Sequence, residues 1–247
     1  MDNSNNKHSA WLGTDPDGIL LVDKPSGPTS HDIVDHIRRR FRLNKVGHAG
    51  TLDPQATGLL ILMIGRGTKL ANQLMAGDKT YEGTICLGVA TDTQDADGKV
   101  MSTADPVNVT AEILAAEMKK LTGDIMQVPP MVSAAKKDGV PLYKLARQGK
   151  TVERKPKLVR IHEFKLLSFE LPRAAFLLHC SKGVYARTLC FDIGQALGCG
   201  AHLASLRRLK SGGFGIETAH AFEKIMDMDR QELMQMMIPL HKLIGMI

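Results

Sequence analysis

The chain has 247 residues, enough for one or two domains with a sizeable core, and its 43% apolar and 23% charged composition is that of a globular protein. No apolar run approaches the roughly 20 residues needed to cross a bilayer, and the polar stretch 1–17 carries no apolar signal core, so the reading is a cytoplasmic chain with a flexible tail over 1–17. A net charge of +6, from 32 basic against 26 acidic residues, fits an anionic partner without demanding one.

In chain order, Ile19 to Val22 reads as a strand ending in the Lys24-Pro25 turn. Ser30 is the expected N-cap of a helix that buries Ile33, Val34, Ile37 and Phe41 and turns arginines outward. Residues 47–60, Gly-His-Ala-Gly-Thr-Leu-Asp-Pro-Gln-Ala-Thr-Gly-Leu-Leu, read as an ordered loop presenting one acid, Asp53. The apolar run Leu59 to Ile64 is the strand expected to anchor it. Tyr81 to Leu87 alternates like a half-buried strand. Thr110 caps a helix through Leu121, with Ile113, Leu114, Met118 and Leu121 facing inward and Gly123 as its stop. Pro129 to Lys157 lacks a sustained apolar period beyond Leu142 to Ala146 and reads as a long surface excursion. Two strands, Leu158 to Phe169 and Ala174 to Cys180, are expected next. The alternation of Val184 and Ala186 with Tyr185 and Arg187 predicts a strand with Tyr185 and Arg187 on one face. A helix over Thr188 to Leu197 stops at Gly198, and Arg230 to Ile238 is a short Met-rich helix. Strands and helices interleave without strict βαβ order, which favours α+β over a doubly wound sheet.

Three basic clusters punctuate this order: Arg38 to Lys45, Arg147 to Arg160, and Arg207 to Lys210. They read either as a phosphate-tracking surface or as solvated faces. The four cysteines, Cys86, Cys180, Cys190 and Cys199, lack a Cys-x-x-Cys pair and read as small buried hydrophobes, so no metal site is expected. Asp95-x-Asp97-Gly98 is not a calcium loop, because Ala104 stands where the required Glu would be. Taken alone, Asp53 would be a turn-forming Asp before Pro, and Arg187 a surface arginine.

The stretch 47–60 closely resembles the catalytic motif of the TruB family of tRNA pseudouridine synthases. The segments 22–32, 78–82, 91–98, 128–134, 179–188 and 198–209 follow in family order, so the resemblance spans about 18–216. It implies a mixed, largely antiparallel central sheet crossed by the active cleft, within a catalytic domain over 18–247, and a thumb-like insertion over about 129–157. About 30 residues follow Gly215, so the family's usual C-terminal RNA-binding domain reads as absent or reduced. The implied reaction is isomerisation of the T-loop uridine at tRNA position 55, after the base has left its stack. It involves no redox change, so no cofactor or metal is demanded.

By the same resemblance Asp53 is the catalytic aspartate, adding covalently or abstracting a ribose proton. Arg187 is the arginine that holds it ionised, and a guanidinium that close would depress the carboxyl pKa. Tyr81 stacks on the target base, Leu206 lines the uracil pocket, and His48 occupies space vacated by flipped nucleotides. Lys24 and Tyr185 complete the substrate-binding set. Val132 stands where many relatives carry an aromatic residue. The implied partner is the tRNA T arm, with the protein a monomer lacking an obligate protein partner. Two rivals stay open: an RNA chaperone that folds tRNA without turnover, and a synthase of different, guide-dependent specificity.

Overall fold

The computed structural model describes residues 15–133, 135–137, 139–150 and 152–243. Most of the expected tail over 1–17 lies outside the described residues. β1 (Gly18–Lys24) and α1 (Ser30–Arg40) form where the pattern places them, and Ile33, Val34, Ile37 and Phe41 are buried. The cap is one residue earlier than expected. Thr29 accepts from the Asp32 N–H while the Asp32 carboxylate accepts from the Thr29 N–H, a closed capping box. Ser30 is then the first helical residue, and its hydroxyl braces the acid loop instead.

β2 (Val46–Ala49) takes up the start of the glycine-rich stretch, so the loop proper is residues 50–56, and β3 (Thr57–Ile64) follows. β1 and β3 pair antiparallel from Gly18↔Ile64 to Lys24↔Gly58. Their apolar runs are unbroken because both faces are covered. Leu20, Val22, Leu60 and Leu62 face a core shared with α1, whereas Ile19, Leu21, Leu59 and Ile61 face a second core on the other side. A 3₁₀ turn and α2 (Ala71–Ala76) contribute Leu74 to that second core and lead into β4 (Lys79–Leu87).

β5 (Val89–Thr91) and β6 (Val100–Thr103) pair around the turn-rich residues 92–99. α3 (Ala111–Lys120), capped by Thr110, buries Leu114 and Met118. Ile113 is 43% exposed, contrary to expectation, because it lies about 100° off the stripe set by Leu114 and Met118. β7 (Gly123–Gln127) precedes the surface excursion, which holds the short β8 (Lys136–Lys137), β9 (Val140–Pro141) and α4 (Leu142–Arg147). β10 (Lys157–Glu170) and β11 (Arg173–Cys180) follow, then α5 (Ala186–Ala196), β12 (Ala201–Ser211), β13 (Phe214–Gly215), β14 (His220–Ala221), α6 (Phe222–Asp227), α7 (Arg230–Met236) and β15 (Ile238–Pro239).

The principal sheet runs β14-β1-β3-β12-β4-β11-β10-β7, with β2, β13 and β15 paired off this path. The β1–β14 and β3–β12 pairs are parallel and the rest antiparallel, so the architecture is α+β around a mixed, largely antiparallel sheet, as expected. β14 and β15 both pair with β1, so the segment after Gly215 extends the central sheet. A third core, under α3 and α5, covers one face of β4, β10, β11 and β12. Among the described residues no helix is long and apolar enough to cross a membrane.

Candidate active site

Tyr81 and Leu206 pack against both the α1 core and the α5 core, so they mark the seam between them. A cavity of about 510 Å³ opens at that seam, a size suited to one small ligand or nucleoside. β4 and β12 pair with Tyr81↔Arg208 and Gly83↔Leu206 in register. Strand alternation therefore aims Tyr81, Leu206 and Arg208 at one face, and Arg207 at the other. Asp53, Tyr81, Tyr185, Arg187 and Leu206 all line the cavity; Lys24 and His48 do not.

The acid loop is held by side chains whose polar atoms meet its backbone. Ser30 Oγ donates to the Leu52 carbonyl and accepts from the Leu52 N–H. Lys24, fully buried, donates from Nζ to the carbonyls of Pro25 (2.7 Å) and Pro54 (2.9 Å). Arg208, 1% exposed, donates from Nε to Leu59 O (2.7 Å) and from Nη2 to Gly50 O (3.1 Å). Gly58 has φ +98°, and a Cβ there would stand 2.4 Å from the Arg208 carbonyl oxygen, so only glycine lets β3 and β12 close at this point. The residues on either side of Asp53 are thus fixed, Leu52 by the Ser30 hydroxyl and Pro54 by the buried Lys24 ammonium, and its own side chain is left to face the cavity.

That carboxylate meets Arg187, whose Nη2 lies 3.0 Å from Asp53 Oδ2 and 3.1 Å from Oδ1. Arg187 Nη1 donates to Asp95 Oδ2 at 3.2 Å, so one guanidinium bridges two acids. The guanidinium is nearly sealed, its side chain 5% exposed, while Asp53 keeps 45% of its exposure at the mouth. Asp53 is nevertheless pushed above the usual carboxylate pKa. Loss of water in the cleft is the largest cause, the Asp95 charge adds to it, and the opposing pull of Arg187 and Lys24 does not cancel them. Arg187 does pull the carboxyl down, as expected, but the net shift is upward because burial and the Asp95 charge outweigh it.

Arg187 also sits on a different element from the one expected. Tyr185 is the N-cap and Arg187 the second residue of α5, so the two do not share a strand face. Gly183, at φ +84°, turns the chain before the helix starts. The Ala186, Leu189, Cys190 and Ile193 spacing carries the helical signal, against which a four-residue alternation is weak. Tyr185 has no side-chain cap. Instead Gln127, 3% exposed at the end of β7, accepts from the Tyr185 N–H (2.8 Å) and donates to the Tyr185 carbonyl (3.1 Å).

Of the remaining expected residues, Lys24 braces the loop from below, its pKa lowered to about 8 chiefly by burial. His48 lies on β2, with Nδ1 buried and without a hydrogen-bond partner, and burial lowers its pKa below that of a free imidazole. Tyr81 is raised above its ordinary value, burial again dominating. Sequence reasoning missed Asp95, Gln127, Lys79 and Arg208 as parts of the site. Lys79 lines the cavity, its pKa lowered to about 8 by desolvation. Only the Leu206–Arg208 spacing of two hinted that Arg208 turns inward, away from the basic surface.

A family profile described as TruB family pseudouridylate synthase (N terminal domain) matches residues 38–186. A second, the tRNA pseudouridylate synthase B C-terminal domain, matches 187–244. Their boundary falls at the start of α5, and the strands that follow it interleave with those that precede it, β12 lying between β3 and β4. A tRNA pseudouridine synthase B of Syntrophotalea carbinolica is 51% identical over 220 residues, covering 88% of this chain and 72% of that protein. One from Opitutus terrae is 50% identical over 226 residues, covering 92% of this chain and 94% of that protein. A chain of a Cbf5–Nop10–Gar1 complex superposes with a TM-score of 0.72 at 28% identity, over 91% of this chain and 60% of that one. A chain of an archaeal box H/ACA Nop10–Cbf5 complex gives 0.69 at 26% identity, over 93% and 62%. On its own motifs, its fold and these matches, the chain belongs to the TruB family of pseudouridylate synthases.

Proposed function

We propose that this chain isomerises uridine to pseudouridine in tRNA, at the T-loop uridine of position 55, and that Asp53 carries the chemistry. The observation that bears most weight is Asp53 presented to a nucleoside-sized cavity by a guanidinium 3.0 Å away, with Tyr81 and Leu206 on the walls. The reaction breaks the C1′–N1 bond, turns the uracil, and forms C1′–C5; the proton lost from C5 is balanced by one gained at N1. Asp53 acts either on C1′, as a nucleophile, or on the C2′ proton, giving a glycal. Tyr81 offers a face to the flipped base, a contact worth roughly 1–3 kcal/mol. Leu206 supplies an apolar wall that holds the detached uracil in place. Arg187 fixes Asp53 and Tyr185 lines the entrance, while Lys24 acts from behind the loop and His48 from β2. The isomerisation is redox-neutral and calls for no cofactor. We place the protein in the cytoplasm, as a monomer acting on the T arm of tRNA without an obligate protein partner.

The test is Asp53→Asn. Product formation should fall by about 10³-fold or more, with tRNA binding retained. A variant that still isomerises uridine would refute the role of Asp53, and a wild-type protein that binds tRNA without making pseudouridine would favour a chaperone. Activity on an isolated T-arm stem-loop without guide RNA separates this reading from a guide-dependent synthase.

A further inference from the structure

On the face of the sheet opposite Tyr81, three adjacent strands bring two imidazoles and a carboxylate together. Asp78 directly precedes β4, His162 lies on β10 and His179 on β11. Their nearest ligand atoms all lie within 4.8 Å of one another. His162 Nε2 stands 3.0 Å from Asp78 Oδ2, and the rings of His162 and His179 are 4.7 Å apart between centroids. Among the described residues no other three His, Cys, Asp or Glu side chains gather this closely.

The backbone builds this arrangement. β4 and β11 pair with Lys79↔Cys180 and Thr80↔His179 in register, which sets Asp78 beside the end of β11. β10 and β11 pair with Ile161↔Cys180 and then Glu163↔His179, so His162 is the extra residue of a bulge. Bulges re-aim a side chain, and here Ile161 and Phe164 stay in the core while His162 turns to the open face. Each ligand sits on a strand or directly at its end, which gives a precise frame; Asp78 and His162 are exposed enough to adjust their rotamers, and His179 is half-buried.

We propose that Asp78, His162 and His179 form a binding site for a zinc-class divalent cation. Two imidazoles with one carboxylate suit Zn²⁺ and its borderline neighbours, whereas Mg²⁺ and Ca²⁺ favour all-oxygen shells. Bonds of about 2.0–2.1 Å would draw the three donors to about 3.3 Å apart, a closure that the exposed Asp78 and His162 can make toward His179. Water completes the shell from the solvent side. The cation would tie the start of β4 to the end of β11. Those strands carry Tyr81 and lead into Ser181–Tyr185 at the cavity wall, so the site clamps the frame of the cleft without entering it.

The test uses the full chain, stripped with chelator and titrated calorimetrically with Zn²⁺ in a non-coordinating buffer. One saturable site of micromolar affinity is expected. His162→Ala and His179→Ala should each weaken it about tenfold or more. His31→Ala removes a comparable exposed His–Asp pair (3.6 Å to Asp35) that lacks a second imidazole, and should leave the affinity unchanged. His162→Gln and His179→Gln keep side-chain bulk and should behave like the alanine variants, with metal-free melting equal to wild type. In histidine ¹⁵N spectra the resonances of His162 and His179 should shift together on adding Zn²⁺. Absence of saturable binding, or binding indifferent to both histidine substitutions, would overturn the assignment.

Discussion

At the scale of the residue, the electrostatics of Asp53 depend on a charge it does not own alone. Arg187 divides its guanidinium between Asp53 and Asp95, and the Asp95 carboxylate itself disfavours ionisation of Asp53. If ionised Asp53 is the reactive form, the acid limb of the pH profile for kcat/KM lies above the usual 3.8, because the folded pKa is raised. Asp95→Asn keeps the shape and a hydrogen-bond acceptor for Arg187 but removes the negative charge. Ionisation of Asp53 becomes easier, so the acid limb should move to lower pH, read from pseudouridine formation across a pH series. A limb that stays in place, or rises, would show that Asp95 only positions Arg187. The reach of sequence reading is visible in this trio. Asp53 was legible because glycines and a proline surround it, and Arg187 through its motif. Asp95 was given no role, although its segment follows family order, since nothing local reveals that its partner lies 92 residues away.

At the scale of the element, the device that matters is the start of α5. A helix N-terminus leaves backbone N–H groups in need of partners, and Tyr185 offers no capping side chain. Gln127 supplies the missing order by pairing with both backbone polar groups of Tyr185, much as a neighbouring strand would. It thereby fixes the turn from which Arg187 projects. Gln127→Ala should lower kcat about ten- to a hundredfold with little change in KM, since the chemistry depends on placement within about 1 Å. It should also lower stability by about 1 kcal/mol in urea unfolding, because the half-buried Tyr185 N–H loses its partner. Gln127→Glu should not rescue kcat: a carboxylate accepts from the Tyr185 N–H but cannot donate to its carbonyl. Most elements were legible, because runs such as Leu59–Ile64 and stripes such as Ile33–Ile37 state their period plainly. The errors fell where tertiary contacts decide. The Thr29 cap beats Ser30 because the Ser30 hydroxyl is engaged by Leu52, and the strand expected at Val184–Arg187 yields to a helix whose stripe packs on β12.

At the scale of the whole molecule, the three basic clusters divide into framework and surface. Arg38 pairs with Asp35, Arg40 donates to the carbonyls of Met226 and Met228, Arg207 binds Asp23 in a fork, and Arg208 is buried against the acid loop. These cations hold the fold, so the count of basic residues overstates the charge offered to a polyanion. Lys157, from the second cluster, and Lys182, outside all three, differ: both line the cavity and both are exposed, beside the strand ends where an RNA backbone entering the cleft would pass. Phosphate contacts release counterions, so log affinity should fall linearly with log salt, by roughly 0.7–0.9 per contact. Lys157→Ala and Lys182→Ala should each make that slope shallower by about one and weaken binding at low salt without altering the shape of the pH profile. Arg207→Ala should leave the slope nearly unchanged and lower the melting temperature instead, since its partner is Asp23 rather than RNA. Filter-binding or anisotropy titrations of a T-arm hairpin over a salt series, beside thermal melts, separate the two outcomes. If Lys157 and Lys182 leave the slope untouched while Arg207 changes it, RNA approaches over the opposite face of the sheet, and the cavity around Asp53 cannot be where the uridine enters.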